Sequence, residues 1–392
     1  MALATETQKT ADSIRTFEIS IPEANLADLR SRIEATRWPE KETVLDDSQG
    51  VQLATMEKLA KYWTTGYDWG KCEARLKSFP NFVTEIDGLD IHFLHVRSKH
   101  ENALPVCIVH GWPGSIVEQM KLIEPLTDPT AYGGTAEEAF DVVIPSIPGY
   151  GFSGKPTEPG WNPARIAKAF NTLMTRLGYT KFVAQGGDWG AVIVDMMGLE
   201  APPELLGIHT NMAGAVPTDI DAAAFSGQPA PSSLSEEERA AYDRLQFVYQ
   251  KGIGYGFQMG LRPQSLYGIA DSPVGLAAYF LDHDQRSYRL IARVFDGASE
   301  GLTRDDVLDN ITITWLTNTF VSGARLYWEY WGNSYFNVKG VTIPAAVSVF
   351  PDELYPAPKS WAEKAYPNLI HYNQLEKGGH FAAWEQPELM TS

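Results

Sequence analysis

Only two cysteines, Cys72 and Cys107, occur in 392 residues, too few for a disulfide framework. Cys107 stands in the apolar run Leu104-Pro105-Val106-Cys107-Ile108-Val109, which suits a buried reduced thiol better than a bridge. Basic residues are also scarce: 32 Lys and Arg face 49 Asp and Glu, a net charge of −17, with no Lys/Arg-rich run. That balance argues against nucleic acid and anionic membrane surfaces as partners. No apolar stretch approaches the roughly 18 residues of a bilayer span. The start, Met1–Lys9, lacks the basic region and apolar core of a signal peptide. There is no internal repeat and no low-complexity tract. The expectation is a cytoplasmic protein without a membrane anchor. A core is not lacking: 44% hydrophobic and 11% aromatic residues exclude a disordered chain.

At about 150 residues per domain, the length allows two or three units or one large domain with additions. Residues 1–80 read as an arm of helices. Glu23–Glu34 places Leu26, Leu29 and Ile33 on one face, and Leu53–Thr65 carries Met56, Leu59 and Tyr62. Strand texture then begins. Asn81–Ile86 and Leu89–Val96 flank Asp87-Gly88, a pair that supplies the positive φ angles of a tight hairpin turn. Val106–His110, Val142–Pro145 and Phe182–Gln185 are short apolar runs suited to strands buried on both faces of a parallel sheet. Between the last two, Asn162, Pro163 and Gly178 punctuate a helix striped by Ile166, Phe170, Met174 and Leu177. Strand, helix, strand is a βαβ crossover.

From about Gly214 to Gly332 strand signals vanish. Pro217, Pro229 and Pro231 break up a loop, Ser235–Glu238 forms a capping box, and Arg304 to about Trp331 reads as helical. Strands return at Ala345–Phe350 and Leu369–Leu375. The sheet is therefore interrupted, not finished. The expected division is an arm (1–80), a mostly parallel α/β core (81–213 and 333–392) and an inserted helical cap (214–332).

The chemistry concentrates after the strands. Gly186-Gly187-Asp188-Trp189-Gly190 lies between the strand Phe182–Gln185 and the apolar helix Ala191–Leu199. Its small-x-nucleophile-x-small spacing is that of a nucleophile elbow, whose reversal is too tight for Cβ atoms near the nucleophile. Asp188 as a plain helix N-cap is the rival explanation. His110-Gly111-Trp112-Pro113-Gly114 follows an earlier strand. With the elbow, it suggests an oxyanion hole made by the backbone N–H groups of Trp112 and Trp189. Pro148–Ser153 adds a glycine-bearing loop on the same rim. Near the end, Gly378-Gly379-His380-Phe381 offers a positioned base. Asp352 or Glu353, after the strand Ala345–Phe350, supplies the orienting acid. Nucleophile, acid and histidine then follow the chain order of an α/β-hydrolase triad. His92 and His95, three apart on a strand, face opposite sides and make a poor metal pair.

On these motifs, and on Tyr67–Leu76 and Ser78–Phe82 of the arm, the chain resembles the α/β-hydrolase epoxide hydrolases of the microsomal and fungal type. The resemblance runs along nearly the whole length and is carried most specifically by His110–Ser115, Gln185–Gly190 and Gly378–Ala383. It implies the α/β-hydrolase fold with a cap, Asp188 as nucleophile, His380 as base and Glu353 as acid. It also implies two cap tyrosines that protonate the epoxide oxygen, falling on Tyr255 (in Gly254–Gln264) and Tyr327 (in Ser322–Glu329), with Tyr330 the nearest rival to Tyr327. The chain departs from the family in showing no membrane anchor, and in ending at Ser392 where the family continues into a closing helix.

The implied reaction turns an epoxide into a vicinal diol through an ester on Asp188, with no cofactor and no metal. The implied partners are a small apolar epoxide and water, with a homodimer as an allowed assembly. The alternative is a haloalkane or haloacid dehalogenase using the same Asp-His-acid set. An esterase is disfavoured because the elbow carries no serine.

Overall fold

The computed structural model describes residues 12–392. The stretch Met1–Lys9, read above as no signal peptide, lies outside them. Nine strands build one sheet: β1 (Arg15–Thr16), β2 (Asn81–Ile86), β3 (Leu89–Val96), β4 (Leu104–Val109), β5 (Phe140–Pro145), β6 (Phe182–Gly186), β7 (Leu205–Thr210), β8 (Ala345–Val349) and β9 (Leu369–Gln374). Their spatial order is β1-β2-β3-β5-β4-β6-β7-β8-β9. The pairs from β1 to β5 along that order are antiparallel. Every pair from β5 to β9 is parallel. Asp87 and Gly88 turn β2 into β3 at φ 51° and 78°.

The central strands are apolar on both sides because both sides are covered. Cys107, Val109 and Val143 pack with Phe170 and Ile193 of the helices Pro163–Arg176 and Trp189–Glu200. Val106, Ile108, Val142 and Ile144 pack with Ile116, Met120 and Ile123 of the helix Ile116–Thr127. Alternate residues of one strand thus serve two cores. Both cysteines are free and buried.

Between β7 and β8 the regular elements among the described residues are helices, with one isolated bridge from Val216 to Asn337. The segment Ser235–Glu238 makes the expected capping box on the helix Glu236–Phe247. Four details differ from the sequence reading. The proline-marked loop contains a helix, Thr218–Phe225, with Pro217 at its N-cap. The long helix beginning at Arg304 is two, Arg304–Thr317 and Phe320–Glu329, parted at Asn318, whose φ of 51° is left-handed. The arm is not only helical, because β1 adds to the sheet edge. Strand β7 was unforeseen; it holds Gly207, where an added Cβ would meet Pro344 O at 2.8 Å. None of the described helices is long and apolar enough to cross a membrane.

Candidate active site

Four chain segments meet at the carboxyl edge of the parallel strands, where open α/β sheets keep their sites. The elbow leaves β6 with Asp188 at φ 52° and ψ −127°. Its side chain makes no N-cap bond, which removes the helix-cap explanation. The flanking glycines are there for space. A Cβ at Gly186 would lie 2.2 Å from Gly190 O, and one at Gly190 would lie 2.0 Å from Val109 O.

The loop after β4 supplies the donor. Trp112 N donates to Asp188 Oδ1 at 2.6 Å. Gly111 has no room for a side chain, since a Cβ there would sit 2.2 Å from the same oxygen. His110 braces the loop: Ile147 N donates to its Nε2 at 3.1 Å, so Nδ1 carries the proton and donates to Gly111 O at 3.0 Å. Burial lowers the His110 pKa to about 4, so it stays a neutral brace. The Trp189 amide makes no hydrogen bond to the Asp188 carboxylate among the described residues.

The other carboxylate oxygen faces the histidine. His380 Nε2 lies 3.2 Å from Asp188 Oδ2, and its Nδ1 lies 2.5 Å from Glu353 Oε1. Leu354 N also donates to Glu353 Oε1, at 2.7 Å. Asp352, left open beside Glu353 by spacing, points away: its side chain is 58% exposed and sits 3.4 Å from Arg286. Burial opposes the charged form of His380, but Glu353 and Asp188 outweigh it and hold its pKa well above the ordinary imidazole value. Burial likewise opposes ionised Asp188, yet the facing imidazoles of His283 and His380 hold its pKa well below the usual carboxylate range.

The helical segment closes the site from above. Tyr255 stacks on Trp112 at 4.8 Å and 17°. Tyr327 meets Trp189 edge-on at 4.8 Å, and the two tyrosine rings lie 6.0 Å apart. Burial, reinforced by nearby Asp188, raises the pKa of Tyr255; in Tyr327 burial acts first and Tyr255 next. Both phenols therefore keep their protons at neutral pH. Tyr330 is differently placed, its hydroxyl donating to Ser334 O at 3.3 Å. Asp188, Tyr255, Tyr327, Tyr335 and Ile253 line a cavity of about 20 Å³, room for about one water. Ile253 and Tyr335 also line a larger pocket of about 400 Å³ with Phe225, Phe257 and Trp331.

Sequence reasoning missed four ionisable neighbours. Glu118 lies beneath Gly114, and burial followed by the Asp188 charge pushes its pKa up to about 8. Glu385 accepts from Gly379 N at 2.9 Å and Phe381 N at 3.2 Å, so it clamps both sides of His380. His283 and Asp284 come from the turn between the helices Pro273–Leu281 and Gln285–Phe295. His283 stacks on His380 at 4.6 Å. The glycines around His380 were the only local signal for the Glu385 clamp, and the run Asp282-His283-Asp284 was the signal for the other pair. Asp188, His283 and His380 have ligand-type atoms within 4.8 Å of one another. The sole Gly-x-Ser-x-Gly spacing, Gly297–Gly301, lies after the helix Gln285–Phe295 and follows no strand, so it is not an elbow.

The doubly wound sheet, the strand-to-helix elbow and the cap together define an α/β-hydrolase. Residues 105–292 match the family model described as alpha/beta hydrolase fold, and residues 14–119 match the epoxide hydrolase N terminus. A Stigmatella aurantiaca protein provisionally named an epoxide hydrolase is 49% identical, over 96% of this chain and 83% of that one. Rabbit (Oryctolagus cuniculus) epoxide hydrolase 1 is 35% identical, over 97% of this chain and 87% of that one. The crystal structure of Bombyx mori juvenile hormone epoxide hydrolase superposes with a TM-score of 0.83 at 30% identity, covering 99% of this chain and 94% of that one. The chain belongs to the epoxide hydrolase family, hydrolases that act on an epoxide and water.

Proposed function

We propose that the chain converts an apolar epoxide into a vicinal diol through a covalent ester on Asp188. One observation carries the reading: one Asp188 oxygen is held by Trp112 N while the other faces His380 Nε2. An sp³ epoxide carbon needs backside displacement. A carboxylate is ready for that, being ionised far above its ordinary pKa of about 3.9, whereas a serine would need its proton removed first. Asp188 Oδ2 attacks, and the C–O bond of the ring breaks. Tyr255 or Tyr327 gives the departing alkoxide its proton. A halide leaving group would need no such proton, so the tyrosine pair favours an epoxide over a haloalkane.

Alkylation removes the Asp188 charge that had helped to keep His380 protonated, so His380 sheds a proton, which balances the one the phenol gave up. His380, still oriented by Glu353, then acts as base on the water that attacks the ester carbonyl carbon. Trp112 N, and Trp189 N once the intermediate forms, hold the oxyanion. The mechanism calls on no cofactor and no metal. Three members of the set come from the sheet and two tyrosines from the helical segment, which supports the division into core, cap and arm given above. The aromatic 400 Å³ pocket beside Ile253 and Tyr335 supports an apolar substrate, and two buried thiols suit a reducing compartment such as the cytoplasm.

A single turnover in ¹⁸O-labelled water tests the ester. The diol formed should carry no label, and the label should appear in Asp188 after proteolysis. Label in the first-turnover diol would mean direct attack by water and sink the reading. A second expectation concerns the tyrosines. Tyr327→Phe should slow ring opening on the order of 10²-fold, while Tyr330→Phe, whose hydroxyl is committed to Ser334, changes it less than about threefold. Stopped-flow tryptophan fluorescence reads both, and equal effects would reassign the donor.

A further inference from the structure

The larger pocket beside the catalytic cavity is not apolar throughout. Phe225 and Trp331 are exposed at its mouth, and Phe257 lies between them, its ring 6.3 Å from Phe225 and 5.5 Å from Trp331. Inside, Ile253 and Tyr335 form the wall it shares with the cavity at Asp188. The 20 Å³ at Asp188 leaves no room for a chain, whereas about 400 Å³ lies beyond that wall. A chain carried by the epoxide therefore extends past these two side chains into the larger pocket.

One acid lines this pocket. Asp221 is only 7% exposed. Tyr249 Oη donates to its Oδ1 at 2.6 Å, while its Oδ2 accepts no hydrogen bond among the described residues. The polar groups around it are committed elsewhere: Ser334 Oγ accepts from Phe336 N and Asn337 N, and Asn333 Nδ2 donates to Tyr330 O. Lys339, whose charge Asp195 supports before Asp221 does, donates to Ser334 O and Asn337 Oδ1 and does not line the pocket. No Lys, Arg or His stands among the described lining residues. A nearly buried carboxylate oxygen without a donor is costly, and between aromatic walls it attracts one more strongly than in water.

We propose that Asp221 Oδ2 is a specificity-determining acceptor, and that the substrate is an epoxide with an apolar body and a hydrogen-bond donor, hydroxyl or ammonium, at its far end. The inference rests on the ester reading, which puts the epoxide at Asp188, and it names the substrate class within that reading. The rings of Phe225, Phe257 and Trp331 cover the apolar body. Tyr249 fixes the carboxylate through Oδ1, and Oδ2 takes the donor. An ammonium tail gains further from the aromatic faces. A carboxylate tail meets Asp221 as a like charge, with no cation in the wall to pair it.

The test is kcat/KM for terminal epoxides of graded chain length, each ending in methyl, hydroxyl, ammonium or carboxylate. At the matching length, native enzyme should prefer a donor tail to the methyl tail by at least about tenfold. The carboxylate tail should fall below methyl by a similar factor. The preference should sit mainly in KM, because the tail contact is the same before and during ring opening. Either donor tail reaching that margin supports the proposal, and the better of the two says whether the favoured donor is a cation or a hydroxyl. Asp221→Asn keeps an acceptor for Tyr249 but turns an amide N–H toward the pocket, so it should bring the donor tails to within about twofold of methyl. Donor tails no better than methyl at every length, with all the epoxides hydrolysed, would overturn this inference and leave the ester reading standing. A native preference that survives in Asp221→Asn would place the acceptor elsewhere and overturn it too. Should the variant fail to fold, the native series decides alone. No hydrolysis of any member, short plain epoxides included, would refute the parent reading and this inference with it.

Discussion

Asp188→Ala should leave a folded protein with no measurable epoxide hydrolysis, a loss on the order of 10⁵-fold or more. The size follows from the chemistry. The groups given roles in the reaction besides Asp188, namely His380, Glu353, Tyr255 and Tyr327, serve steps that it must first begin. Without the carboxylate there is no ester for His380 to hydrolyse, and the phenols have no alkoxide to protonate. The fold should tolerate the change, since the elbow backbone is set by the glycines at 186 and 190 and by the β6 pairing, not by the Asp188 side chain. The native far-ultraviolet circular dichroism should therefore persist. Intact-mass spectrometry with excess epoxide should show no adduct on the variant. Residual turnover within about 100-fold of native would assign the nucleophile elsewhere.

The elbow was legible in the sequence because the glycines that its close approaches demand fall in one short string. Gly186 answers to Gly190 O four residues on, Gly187 to the Asn211 side chain and Gly190 to Val109 O of β4, so partners near and far leave their mark in the same five residues. The same holds for Gly111 and Gly114, pressed against Asp188 and Glu118, and for the glycines before His380. The parallel strands β4, β5 and β6 were legible because burial on both faces makes a continuous apolar run. Strand β7 was not. Gly207 and His209 break its apolar run, and the break is explained only by Pro344 crossing close to Gly207 and by Ser348 Oγ, 2.9 Å from His209 Nε2, partners far along the chain.

The acid shows the same limit in miniature. Asp352 and Glu353 are adjacent, and spacing alone cannot choose between them. The turn after β8 decides, sending Glu353 inward to 1% exposure and Asp352 out to Arg286. Tyr255 and Tyr327 rested on family resemblance, because nothing in a helical stripe distinguishes a tyrosine that lines a site from one that fills a core. His283 was missed for the same reason: it reaches the site only when two helices, Pro273–Leu281 and Gln285–Phe295, fold their connecting turn over Asp188. What the sequence encodes within a turn can be read directly. What it encodes by bringing two separately stable elements together has to be seen in the fold.

His380→Gln should split the reaction instead of abolishing it at the start. Asp188 remains ionised without the histidine's help at neutral pH, since an ordinary carboxylate already is, so ring opening should proceed, though with a nucleophile no longer held by the His380 contact. Hydrolysis of the ester loses its base and should slow on the order of 10³- to 10⁴-fold. Intact mass should then show one substrate equivalent bound covalently, and peptide mapping should find it on Asp188. The pH behaviour of the native enzyme follows from the same two groups, and the sign differs between steps. Asp188 has its pKa held well below the usual range, so ring opening should stay level as pH falls from neutral toward the ordinary carboxylate region. His380 must be neutral to accept a proton from water, and Glu353 still raises its pKa after Asp188 has been esterified. Ester decay should therefore fall with decreasing pH and rise through the pKa that His380 has in the ester form. Single-turnover traces across pH separate the two phases, because fluorescence change on ester formation precedes its decay. An ester phase that decays equally fast at acid and neutral pH would remove His380 from the role of base, whatever its distance from Asp188.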